Sequence, residues 1–246
     1  MDITNKKILI ASGCSFTFED WCWPGHLSKE LNINLLNVGM SCQGNGLISK
    51  KLIHTVDEQL KIRNPEDILV GVMWSGIDRH DIYIDEYYEP FSNIDGWWEN
   101  PTNIIDGRKN WLILNQHWKT KISSLWYKNF HTVIGSMIYS IQDVLLVQWY
   151  LEKHNIKYFM TTYMDIFHRS SDTINHPEVK YLFNMINFDT FIPIIGCYEW
   201  IKENHNDDGF DKVKQTDPSP FHPNSCGHNL FSTEVIIPHL KTKNLI

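Results

Sequence analysis

Short apolar runs alternate with amphipathic stretches along most of the chain. Residues 7–12 (KILIAS), 33–38 (INLLNV), 67–74 (DILVGVMW) and 156–163 (IKYFMTTY) have the length and continuous hydrophobicity of buried strands. Between them, Leu47, Ile48, Leu52, Ile53, Val56 and Leu60 fall at helical spacing, and Asn64-Pro65 stops that helix. Trp23-Pro24-Gly25-His26-Leu27 opens a shorter helix, with Pro24 suited to its first turn. Residues 132–153 form a long helix that is apolar on most sides and therefore predicted to be largely buried. Shorter helices are expected over 176–187 and 198–203. A final amphipathic helix follows within 224–240, shortened by Pro238.

Strands alternating with helices predict an α/β fold: a central parallel sheet with helices on both faces, in which sites lie at the carboxyl ends of the strands. The alternation fails over about 81–130, a stretch holding Tyr83, Tyr87, Tyr88, Trp97, Trp98, Trp111, Trp118 and Trp126. It reads as an aromatic-rich insertion over one end of the sheet, either a satellite core or a cap lining a substrate. With 246 residues, 42 % hydrophobic and 21 % charged, the whole chain suits a single globular domain, 1–246, carrying that insertion. The formal net charge of −7 argues against a nucleic-acid partner. No apolar run reaches the length of a membrane span, and the N-terminal residues read as a first strand, not a signal peptide. The expected location is the cytosol or a virion. The five cysteines (Cys14, Cys22, Cys42, Cys197 and Cys226) contain no C-x-x-C pair and read as free thiols. With neither H-E-x-x-H nor G-x-G-x-x-G, no metal or dinucleotide cofactor is expected.

Chemistry-bearing residues collect at the strand exits. The first strand runs into Gly13-Cys14-Ser15-Phe16-Thr17, where a turn can expose the Ser15 hydroxyl. This is not a G-x-S-x-G elbow, because residue 17 is Thr. Cys14 is a rival nucleophile, although the strand pattern turns its side chain into the fold. Late in the chain, Asp217-Pro218-Ser219-Pro220-Phe221-His222-Pro223-Asn224 offers an imidazole and a carboxylate in one loop, with Asn224 as a helix N-cap.

Three blocks together resemble the SGNH/GDSL hydrolase superfamily, in the GCSFT-type form of phage and bacterial members. They are Gly13-Cys14-Ser15-Phe16-Thr17, Asn37-Val38-Gly39-Met40-Ser41-Cys42-Gln43-Gly44-Asn45, and His222-Pro223-Asn224-Ser225-Cys226-Gly227-His228. Residues 74–79, which include Trp74, Ser75 and Arg79, stand in the place of the remaining block. The resemblance implies a three-layer flavodoxin-like sandwich and a serine esterase cleaving a carboxylic ester through an acyl-enzyme. Ser15 would be the nucleophile, His222 the base and Asp217 the acid. The substrate would be a small ester, such as an O-acetylated carbohydrate. Asp217 lies five residues before His222, where the family spacing is three and places Ser219. The intervening Pro-Ser-Pro either bulges to return the carboxylate or leaves a Ser-His dyad. The oxyanion hole would use the amides of Ser15 and Cys42, with Gly39 or Gly44 as an alternative to Cys42. The third-block Asn is absent, and Asn45 is either its substitute or a turn and cap residue. Trp74 and Arg79 are candidate substrate contacts, with Arg79 alternatively paired to Asp78 or Asp81. A second reading is a catalytically eroded binding or structural module on the same fold, such as a phage virion component. Hydrolysis of a short ester separates the two.

Overall fold

The computed structural model describes residues 7–83, 111–116, 121–167, 171–211 and 222–246. In chain order the elements are β1 (Ile8–Gly13), α1 (Ser15–Phe18), α2 (Trp23–Leu31), β2 (Asn34–Asn37), α3 (Asn45–Leu60) and β3 (Ile68–Trp74). Then come β4 (His80–Tyr83), β5 (Trp111–Leu114), α4 (Lys121–Asn129), α5 (Val133–Lys153) and β6 (Lys157–Thr162). The last are α6 (Ser171–Asn175), α7 (Pro177–Phe183), α8 (Cys197–Asn204), α9 (Ser225–Leu230) and α10 (Ile237–Thr242).

The four predicted strands pair in the order β2-β1-β3-β6, all parallel. Strand β1 is followed by β2 on one side and then by β3 on the other. The order of winding therefore reverses between β1 and β3, and in doubly wound sheets a crevice opens outside the strand ends at that point. Alternation along the strands feeds two cores. Ile8, Ile10, Val70, Val72 and Met160 face α3, α5 and α7, and Leu9, Ala11, Leu69, Met73 and Phe159 face α2, α8 and the C-terminal helices. Burying each of these side chains other than Ala11 contributes roughly 1.5–3 kcal/mol. The result is the expected three-layer α/β sandwich, flavodoxin-like in strand order.

Three local features depart from the sequence reading. Helix α5 starts as expected at Thr132, whose Oγ1 accepts from Gly135 N at 3.0 Å, but Tyr139, Leu146 and Trp149 on its outer face are about half exposed. Pro238 does not shorten the last helix. Residues Phe231–Ile236 form a π-helical turn, Ile236 and Ile237 keep helical dihedrals, and the helix continues to Thr242. A π turn shifts the hydrogen-bond ladder by one residue, which accommodates the N–H that proline lacks. Within the predicted insertion, β4 and β5 pair as a separate antiparallel ribbon, followed by α4. Tyr87, Tyr88, Trp97, Trp98 and Trp118 lie outside the described residues.

Strand β4 is tied to helix α3 through the side chain of Asp81. Helix α3 has Gly44 as N-cap and no local side-chain cap. Asp81, on β4, takes that place: its Oδ1 accepts from Gly44 N at 2.9 Å and its Oδ2 from Leu47 N at 2.8 Å. Burial raises the Asp81 carboxyl above the usual range, against the opposing effect of those two amides. The ribbon thus satisfies the open amides of α3 and fixes the loop leading into it.

Candidate active site

The site is assembled where β1 ends. The chain passes from Gly13 straight into α1, with Cys14 as N-cap and Ser15 at the first helical position. Only glycine fits at 13, because a Cβ there would lie 2.2 Å from Thr17 Oγ1 and 2.9 Å from Met73 O. The Ser15 amide sits in the first turn, where a helix supplies no acceptor of its own.

His222 enters from the other end of the chain. Asn224, the N-cap of α9, holds the segment through Gly227 N at 2.9 Å, and Pro223 bridges to Phe210. Ser15 Oγ and His222 Nε2 are 2.7 Å apart across 207 residues of sequence. With the ring proton on Nδ1, the hydroxyl donates to Nε2, as proton abstraction from a nucleophile requires. Phe16 packs on the imidazole with centroids 5.0 Å apart, and meets Tyr163 edge-on at 5.3 Å and His228 at 6.1 Å. Burial lowers His228 to about 3, so this second imidazole is a neutral packing group. Burial also pushes the Cys22 thiol, which donates to Ser15 O at 3.7 Å, up to about 12. Cys14 is fully buried, as expected, but in the core of Leu9 and Ala11, so the alternation of β1 does not continue past Gly13.

The second loop clamps the first. Asn37 Nδ2 donates to Thr17 O at 2.6 Å and Phe18 O at 3.2 Å, and Gln43 Nε2 donates to Gly13 O at 2.5 Å. Neither residue stood out in the sequence as a positioning group, although both lie in the quoted second block. Tyr163, at the end of β6, was also missed. Nothing local marks it, because it reaches the site only through strand order.

The predicted oxyanion groups separate. Gly39 N donates to Asn37 Oδ1 at 3.0 Å, so this amide is already engaged and is not the hole donor the sequence offered. Asn45 is not a substitute amide either. Its side chain is buried, its Oδ1 accepts from Ser75 N at 2.8 Å, and its Nδ2 donates to Ser75 O at 3.2 Å and Ser140 Oγ at 3.1 Å. Its role is to lock the third loop to α3. Cys42 has φ 66°, a left-handed conformation that a non-glycine residue adopts at a cost of roughly 1–2 kcal/mol. Strain of this kind collects at functional loops.

Of the two expected substrate contacts, Trp74 is fully buried in the core, and its indole N–H points to Met160 Sδ at 3.4 Å. The strand alternation that buries Val70 and Val72 buries Trp74 as well. Arg79 lies at the site. Its Nη1 donates to Ser75 Oγ at 2.8 Å and to Gln43 O at 3.5 Å, and its guanidinium stands 5.6 Å from the Tyr163 ring centroid. It forms no ion pair with Asp78 or Asp81 among the described residues. Burial works against its charge, but the groups around it, Cys14, Tyr163, Cys42 and Asp78, raise its pKa overall, so it remains a cation. Asp217 lies outside the described residues. Among those residues, no three His, Cys, Asp or Glu side chains converge as metal ligands would, and no single helix is long and apolar enough to cross a membrane.

Fold and site together define a doubly wound α/β protein with a serine hydroxyl and an imidazole in contact at its switch-point crevice. The chain belongs to DUF6071, a family of unknown function, whose profile matches residues 5–189. That span contains Ser15 and ends before His222. A structure from Desulfitobacterium hafniense DCB-2, assigned to the G-D-S-L lipolytic family, superposes with a TM-score of 0.46 and 11 % identity, over 92 % of this chain and 96 % of that one. No curated protein matches.

Proposed function

We propose that the protein is a serine esterase. The reading rests on the 2.7 Å contact between Ser15 Oγ and His222 Nε2 at the carboxyl edge of the sheet. Ser15 is a weak nucleophile at neutral pH, and His222 takes its proton as Oγ attacks an ester carbonyl. The oxyanion that forms is met by the Ser15 amide and by the strained loop at Cys42, each such donor contributing about 3 kcal/mol. His222 then protonates the departing alcohol, and water cleaves the acyl-enzyme by the same route in reverse. Asp217, five residues before His222 in sequence, is the proposed acid that orients the imidazole.

The test is turnover of a short 4-nitrophenyl ester by wild type, Ser15→Ala and His222→Ala. Loss of roughly a thousandfold or more in kcat is expected in each variant. Equal rates in all three would remove the esterase reading. Labelling of Ser15 by a fluorophosphonate, lost in Ser15→Ala, is the direct check on the nucleophile. One observation favours the alternative of a binding module with an eroded centre: Gly39 and Asn45, two groups offered as hole donors, are engaged elsewhere. Absence of both labelling and turnover would select that alternative.

A further inference from the structure

Arg79 is a half-buried cation with three of its five N–H donors unused. Only Nη1 makes hydrogen bonds among the described residues, to Ser75 Oγ and Gln43 O. Its other N–H groups, on Nε and Nη2, have no acceptor there. The two acids nearest in sequence favour its charge, but neither forms an ion pair with it among the described residues. Asp81 accepts the Gly44 and Leu47 amides, and Asp78 folds back over Gly76, with Oδ1 2.5 Å from where a side chain at that position would begin. The open donors of a partly buried guanidinium favour an anionic partner, and its planar fork matches a carboxylate or phosphate through two parallel bonds.

The surroundings connect this cation to the nucleophile. Arg79 rests on the loop that clamps Gly13, because its acceptor Gln43 also donates to Gly13 O at 2.5 Å. On its other side it faces Tyr163, which packs on Phe16, and Phe16 packs on His222. The cation, the hydroxyl and the imidazole therefore stand at one edge of the sheet, in a protein whose net charge is −7. A fixed positive charge at that place attracts an anion against the overall field of the molecule.

We infer that Arg79 is a specificity-determining residue that grips an anionic group, carboxylate or phosphate, on the ester cleaved at Ser15, so that the natural substrates are negatively charged esters. This inference rests on the esterase reading above. An oxyanion donor would assist neutral and charged esters alike, whereas an anion clamp discriminates between them.

Two matched ester pairs test it with the full chain. Mono(4-nitrophenyl) glutarate against 4-nitrophenyl valerate places the charge on the acyl side. 4-Acetoxybenzoate against its methyl ester places it on the alcohol side. The charged member of at least one pair is expected to show a kcat/KM roughly tenfold to a hundredfold higher, carried mainly by KM. In Arg79→Met that ratio should collapse towards one, and in Arg79→Lys it should be intermediate, because the charge remains and the fork is lost. Circular dichroism establishes that each variant is folded. Ratios near one in both pairs for the wild type overturn the inference without any variant. So does an undiminished ratio in folded Arg79→Met, even if turnover falls. If no ester is turned over in a Ser15-dependent way, the esterase reading fails by itself. The anion site is then judged by calorimetric titration with glutarate and with inorganic phosphate. Binding of either by wild type that is lost in Arg79→Met keeps the site, and no binding of either by wild type overturns it.

Discussion

Asp143 on α5 should make the protein more stable in mild acid than at neutral pH, relative to a variant that lacks its charge. Its Oδ1 accepts from Ser49 Oγ at 2.9 Å, but burial pushes the carboxyl up from 3.8 to about 6, with a smaller contribution from Asp81 nearby. A carboxyl whose pKa is higher folded than unfolded binds its proton more tightly in the native state. Its stabilising effect is complete below pH 3.8 and is lost as pH rises through about 6. The shift corresponds to about 3 kcal/mol by the neutral range. Linkage with the same two values puts about 1 kcal/mol of that loss at pH 4.5 and the remaining ~2 kcal/mol between pH 4.5 and 7.5. Asp143→Asn keeps an oxygen for Ser49 and removes the titration. Urea unfolding of both proteins at the two pH values isolates the effect, because the other carboxylates cancel in the difference. The variant should gain ~2 kcal/mol on wild type between pH 4.5 and 7.5. A stability difference that does not change with pH would refute the burial argument, as would a change in the opposite direction.

Two further predictions concern the loops that frame the site. Asn45→Ala removes the three hydrogen bonds that pin Ser75 and Ser140 and leaves buried backbone polar atoms unsatisfied, so it should cost roughly 2–4 kcal/mol in urea unfolding; a loss under about half a kcal/mol would show that Asn45 is no clamp. Cys42→Gly, at φ 66°, should raise the urea midpoint by an amount equivalent to about 1 kcal/mol, and Cys42→Val should lower it. The reverse order would mean that the left-handed turn is not strained.

Most of the fold was legible in the sequence because strand burial is written locally. The runs at 7–12, 33–38, 67–74 and 156–163 became β1, β2, β3 and β6 with small changes at their ends, since a strand covered on both faces has to be apolar throughout. Residue chemistry likewise singled out Ser15 and His222. Cys14 is buried as expected, but the turn into α1 puts it there and not the alternation of β1: it packs with Leu9 and Ala11, on the face opposite to Ile8 and Ile10. Side-chain destinations in the loops were not legible. Asn45 and Gly39 have the right chemical character for an oxyanion hole, but the path of the chain from Gly39 to Gly44, with its left-handed turn at Cys42, commits them to Ser75 and Asn37.

What residue order alone determined was a parallel α/β sandwich and the side chains able to do chemistry at its strand exits. Which of them meet was decided by tertiary structure. Winding the sheet outwards in both directions from β1 opens the crevice where Ser15 stands, and α9, which packs on Phe16 through His228, returns His222 to it across 207 residues. The same packing left Arg79 beside the site with three of its five N–H donors open among the described residues, because a side chain's surroundings depend on elements distant in sequence, which no local pattern encodes.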